Sequence, residues 1–112
     1  MEKLLKIYDE TCDVCKEMSA VDKQIADEKK MTFVTHTLDE VAAMSGRSKL
    51  RGYVTHYHVD DDGMIDIPVY LILDEDDNIK GSSIVKSAQE LENLILSWEQ
   101  YKSRMSSASE TA

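Results

Sequence analysis

The order of elements legible in the sequence predicts an α/β fold, a central four-stranded mixed sheet flanked by helices on both faces. Three observations carry that reading. A strand pattern at Lys3–Tyr8 feeds a helical stripe and then a second strand pattern, which implies a right-handed parallel crossover. The unbroken apolar run Val69-Tyr70-Leu71-Ile72-Leu73 has the composition of a central strand buried on both faces. An acidic turn at Asp74 to Asn78 then leads to Ile79–Val85, the pattern of an antiparallel hairpin partner.

Each element has a local reason. In KLLKIY, Leu5 and Ile7 alternate with Lys6 and Tyr8, as in a short strand. Asp9-Glu10-Thr11 reads as a turn. Val14, Met18, Val21 and Ile25 then recur at helical spacing, so a helix is expected from about Asp13 to about Lys29, with Asp22, Lys23 and Asp27 mostly off its apolar face. Met31–Thr35 is β-branched and aromatic, a second strand. Thr37-Leu38-Asp39-Glu40 has the form of a capping box and should open a short helix ending near Gly46. Arg47 to Gly63 reads poorly. Tyr53–Val59 has strand-like composition, and either an extra strand or an irregular insertion fits. Ser87-Ala88-Gln89-Glu90 is a second capping box, followed by Leu91, Leu94, Ile95, Trp98 and Tyr101 at helical spacing to about Arg104. One domain is expected over residues 1–105, with a disordered tail over 106–112.

Composition narrows the function. The chain has 112 residues, enough for one core. Its net charge is −9 at pH 7, so a phosphate backbone is repelled on average and nucleic-acid binding is disfavoured. Neither a membrane-spanning run nor a secretory signal is recognisable. The two cysteines, Cys12 and Cys15, are spaced C-x-x-C. A bridge between them would close too short a loop to gain much chain entropy, so a structural staple is not expected. The pair points to chemistry in a reducing compartment, hence the cytoplasm.

Placed at a strand-to-helix junction, Cys12 meets the free N–H groups and positive dipole end of a helix, which stabilise a thiolate. Lys16 adds to this; Asp9, Glu10 and Asp13 oppose it. Such a pair suits thiol–disulfide exchange, in which one thiolate attacks a disulfide and the other thiol resolves the mixed disulfide.

The strand, then Cys12-Asp13-Val14-Cys15-Lys16 opening a helix, then Ile67-Pro68 before an apolar strand, resembles the thioredoxin superfamily over roughly Lys3 to Met105. The resemblance implies a thioredoxin-like fold with Pro68 in a cis peptide beside the cysteines. It implies that Cys12 attacks and Cys15 resolves, and that Thr11, Asp13, Val14, Ile67 and Pro68 contact a bound substrate segment. It also implies protein disulfides as substrates, electrons from a thioredoxin reductase or from glutathione, no metal or organic cofactor beyond the redox-active Cys12–Cys15 pair, and action as a monomer. The chain departs from the family in three ways. Thr11-Cys12-Asp13-Val14-Cys15 stands where thioredoxins usually have Trp-Cys-Gly-Pro-Cys. Lys6 stands where they have a buried aspartate. Lys80-Gly81-Ser82-Ser83 replaces the Gly-Gly pair of glutaredoxins, so tight glutathione binding is not expected. With eleven residues before Cys12, the architecture is expected to be closer to a glutaredoxin.

Other readings have less support. His56 and His58 with the two cysteines could make a zinc site, but H-x-H that far downstream is unusual spacing. Asp60-Asp61-Asp62-Gly63 lacks the ligand pattern of a calcium loop and reads as a solvated turn. His36 reads as bordering a strand end. A second function class is a binding module that holds a basic protein partner in the groove beside Pro68, with redox chemistry incidental.

Overall fold

The computed structural model describes the backbone of residues 1–111 and the side chains of residues 1–104. Strand β1 (Lys3–Tyr8) leads through helices α1 (Asp13–Met18) and α2 (Asp22–Glu28) to β2 (Thr32–Thr37), which lies parallel to β1. Helices α3 (Leu38–Ala42) and α4 (Lys49–Tyr57) follow, then β3 (Val69–Leu73), β4 (Ile79–Ile84) and α5 (Ala88–Thr111). The strand order is β2-β1-β3-β4, with β3 antiparallel to both neighbours. The expected four-stranded mixed sheet is therefore present.

The sheet separates two cores. Leu4, Tyr70 and Ile72 point to one face, where Met18, Ile25 and Ala26 from α1–α2 and Leu91 and Ile95 from α5 cover them. Leu5, Ile7, Val69 and Leu71 point to the other, under Val41 of α3 and Val54 of α4. Every residue of β3 is buried. The N-terminus is tied to α5 through Glu2, which accepts from Trp98 Nε1 and pairs with Lys102 at 2.6 Å.

Four expectations are corrected. The helix expected over Asp13–Lys29 is two helices. The break falls at 19–21, where the Ser19 hydroxyl donates to the Lys16 carbonyl at 2.6 Å and competes with helix continuation. The strand composition of Tyr53–Val59 is overridden. Ser48 caps a helix there by accepting from Arg51 N at 3.3 Å, and Val54 packs inward. The short helix α3 stops at Ala42, before the expected end near Gly46, although its capping box forms in both directions. Helix α5 passes the expected end near Arg104 and runs to Thr111; Ala112 lies outside the described residues.

The insertion between α3 and β3 is fastened by side chains. Ser82 on β4 meets Tyr53 Oη at 2.7 Å and His58 Nε2 at 2.8 Å. Burial pushes the His58 imidazole below its ordinary range. Asp60 Oδ1 accepts from Asp62 N and Met64 N, and Gly63 turns the chain at φ +80°, a conformation that favours glycine. This is the solvated turn expected from Asp-Asp-Asp-Gly.

Candidate active site

The cysteines sit where β1 ends. The loop after Tyr8 is closed by Cys12 N donating to Asp9 O at 3.1 Å, and by Thr11 N donating to Asp9 Oδ1 at 3.3 Å. Cys12 has extended backbone and is the N-cap of α1. Its sulfur accepts from Cys15 N at 3.1 Å. Sulfur thus fills the place that Ser, Thr or Asp oxygens usually take, and a thiolate there would receive a charge-assisted hydrogen bond from the helix. Both thiols are free. Cys12 is half-buried and Cys15 is buried behind it, so the first cysteine is the more accessible of the two.

Burial, a hydrogen bond to Cys12 and repulsion from it push the Cys15 thiol up to about 11, against a backbone hydrogen bond from Asp9 and, more weakly, the charge of Lys6. The reduced protein therefore holds the Cys15 proton more tightly than its unfolded chain does. Stability from this source is present below the ordinary thiol value of 9.0 and is lost as pH rises toward about 11. Melting of the reduced protein across this window should show a steeper alkaline loss than melting of Cys15→Ser. Equal slopes would contradict the buried placement.

The other expected site residues fall in two groups. Thr11 and Asp13 are exposed beside Cys12, whereas Val14 is half-buried and packs against the core beneath α1. Pairing of Ile7 with Val69 brings Pro68 level with Tyr8, at the sheet end where the cysteine loop begins. The Ile67–Pro68 peptide is cis and Pro68 is fully buried. Its carbonyl accepts from Val85 N at 3.2 Å. His56 and His58 do not join the cysteines. They lie at the end of α4, which covers the opposite face of the sheet from α1.

Beneath Cys15 lies a cluster that the sequence reading did not assemble. Lys6 and Asp22 are 3% and 2% exposed, and Lys6 Nζ lies 2.6 Å from Asp22 Oδ2. Lys6 Nζ also donates to the Cys15 carbonyl at 2.9 Å, and Tyr70 Oη donates to the same Asp22 oxygen at 2.9 Å. The other Asp22 oxygen accepts from Lys23 N at 2.7 Å. Burial and the Asp22 carboxylate push the Tyr70 phenol far above its ordinary value, so it stays a donor. Removing two ions from water costs several kcal/mol each, and contact at an effective dielectric near 20 returns about 4 kcal/mol. The further hydrogen bonds to the Cys15 carbonyl, from Tyr70 Oη and from Lys23 N offset part of that cost. A cavity of about 390 Å³, lined by Lys6, Tyr8, Cys15, Lys16, Asp22 and Phe33, reaches this cluster from the surface.

A signal for Asp22 was present. It stands four residues after Met18 and three before Ile25, on the apolar stripe rather than beside it. Lys6 stands in the middle of a central strand, opposite Tyr70.

No protein-family model and no curated protein sequence matches the chain. Among solved structures it is similar to Deadhead, a germline-specific thioredoxin of Drosophila melanogaster, with a TM-score of 0.57 and 19% identity over 86% of this chain and 79% of that one. At this identity the likeness speaks for the backbone fold alone. The chain has a thioredoxin-like fold.

Proposed function

We propose that this protein is a thiol–disulfide oxidoreductase that reduces disulfides of other proteins. The observation that carries the reading is the paired placement of the thiols, Cys12 half-buried as the N-cap of α1 and Cys15 buried one turn behind it. The Cys12 thiolate attacks one sulfur of a substrate disulfide, forming a mixed disulfide and releasing the other sulfur as a thiolate that takes a proton from water. The Cys15 thiolate then attacks Cys12 Sγ, the Cys12–Cys15 bond forms, and the second substrate thiol leaves. Two electrons pass from the cysteine pair to the substrate. An external donor, a thioredoxin reductase or glutathione, returns them.

Thr11 and Asp13, with half-buried Ile67 at the same sheet end, form the contact surface for the substrate segment in this reading, and the fully buried Pro68 sets the course of the chain beside them. The cycle needs no metal or organic cofactor, and a cytoplasmic monomer suits it.

Equilibration in buffers of defined dithiol/disulfide ratio, followed by thiol trapping and mass measurement, tests the proposal. A single two-electron transition at about −270 to −200 mV is expected, the range of reducing thioredoxins and glutaredoxins. The absence of a Cys12–Cys15 disulfide at any ratio would overturn the reading. A far higher potential would make the protein an oxidant instead.

A further inference from the structure

The exchange cycle needs Cys15 to lose a proton while it is buried, against the cost of placing a thiolate out of water. We propose that Lys6, held by Asp22 and Tyr70, is a positioning residue that fixes a positive charge beneath Cys15 and so lets the buried thiol become the resolving thiolate. The inference rests on the exchange reading and deepens it.

The geometry restricts where this charge can go. One ammonium hydrogen is given to Asp22 Oδ2 and one to the carbonyl of Cys15 itself, at 2.6 and 2.9 Å. The carboxylate is locked in turn by Tyr70 Oη and Lys23 N. The Lys6 and Tyr70 positions are cross-strand partners on β1 and β3, and α2 carries Asp22 onto both. The break between α1 and α2 separates the helix that holds Cys15 from the helix that holds Asp22.

In a poorly solvated site a fixed cation close to a forming thiolate offsets part of what burial costs it. The other charged or titratable groups around Cys15 are Cys12 and Lys16 on α1, Tyr8 at the end of β1, Asp9 and Glu10 in the loop after it, Asp22 on α2 and Tyr70 on β3. Lys6 is the cation among them that reaches the Cys15 backbone. The cavity lined by Lys6, Cys15 and Asp22 gives the leaving proton a way to solvent water. The Cys15 S–H bond breaks, the proton goes to water, the new thiolate attacks Cys12 Sγ, and the departing thiolate is protonated by solvent.

The test starts from a mixed disulfide made chemically between Cys12 and a chromophoric aromatic thiol. Release of that thiol, followed by stopped flow across the alkaline range, reports the resolving step in a single turnover. Lys6→Met/Asp22→Asn removes both charges and keeps a polar partner for Tyr70. It should release the thiol about tenfold more slowly at neutral pH, with the inflection of the rate moved up by about one unit. Lys6→Gln/Asp22→Asn is the second variant, with a different packing load, and should show the same upward move. A purely structural role would lower the melting temperature and leave the inflection in place.

Unchanged inflections in folded variants, with the wild type releasing thiol, overturn this inference alone. If the wild type releases none, Cys15 is not a resolving thiol, and the exchange reading falls together with the inference.

Discussion

Cys12→Ser is expected to abolish reduction of a protein disulfide, and Cys15→Ser to stop it half-way. The asymmetry follows from placement. Cys12 is the more accessible cysteine at the helix start, and its Sγ already accepts an amide hydrogen at 3.1 Å. A serine hydroxyl there would still cap the helix, so the fold should survive, but it cannot form a disulfide. Turnover should fall to the rate of the uncatalysed reaction.

Cys15 is 2% exposed and has no direct route to a protein substrate. With serine in its place, the first attack should proceed and the mixed disulfide should persist. Mass measurement should then find one substrate thiol per protein, released by added reductant. Turnover by Cys12→Ser, or failure of Cys15→Ser to accumulate the adduct, would sink the assignment of roles. A protein that only held a partner would keep it in both variants.

Lys6→Met is expected to be the most destabilising single change at the site. It leaves the Asp22 carboxylate 2% exposed and without its cation. Breaking one side of a buried ion pair costs about 3–5 kcal/mol, because an uncompensated charge remains. A domain of this size has about 5–15 kcal/mol in total, so thermal unfolding should move down by many degrees. Adding Asp22→Asn should restore most of the loss, since the remaining side chain is neutral and can still accept from Tyr70 Oη. Additive losses in the double variant would mean that the two groups are not coupled, contrary to their 2.6 Å contact.

The two expectations turn on different kinds of information. The pairing of Cys12 and Cys15 at one helix start was legible because it is local, whereas their attacking and resolving roles are implied by the resemblance and belong to the proposal. Two thiols three residues apart at the end of a strand pattern must share one helix start, and the structure adds which of the two is the more accessible. Pro68 was legible through resemblance, and the pairing of Ile7 with Val69 supplies the reason it shares the cysteines' end of the sheet.

The insertion was not legible. Tyr, Val and Thr at 53–55 suit a strand, but the Ser48 cap and the fit of Val54 against the sheet decide for a helix. The break between α1 and α2 was missed for a similar reason. An apolar stripe at 3.6 spacing runs straight through Ser19–Val21, and periodicity does not register a hydroxyl competing for a backbone carbonyl.

The sequence by itself determined the sheet, its central strand and the pairing of the two thiols, since each depends on composition and spacing within a few neighbouring residues. Only the tertiary structure decided what lies under Cys15. Lys6, Asp22 and Tyr70 come from three separate elements, and as a sequence pattern each looks like an ordinary polar or aromatic position. Their meaning arises when β1, β3 and α2 close on one another and remove water, because a charge excluded from solvent must find its partner or the fold does not form.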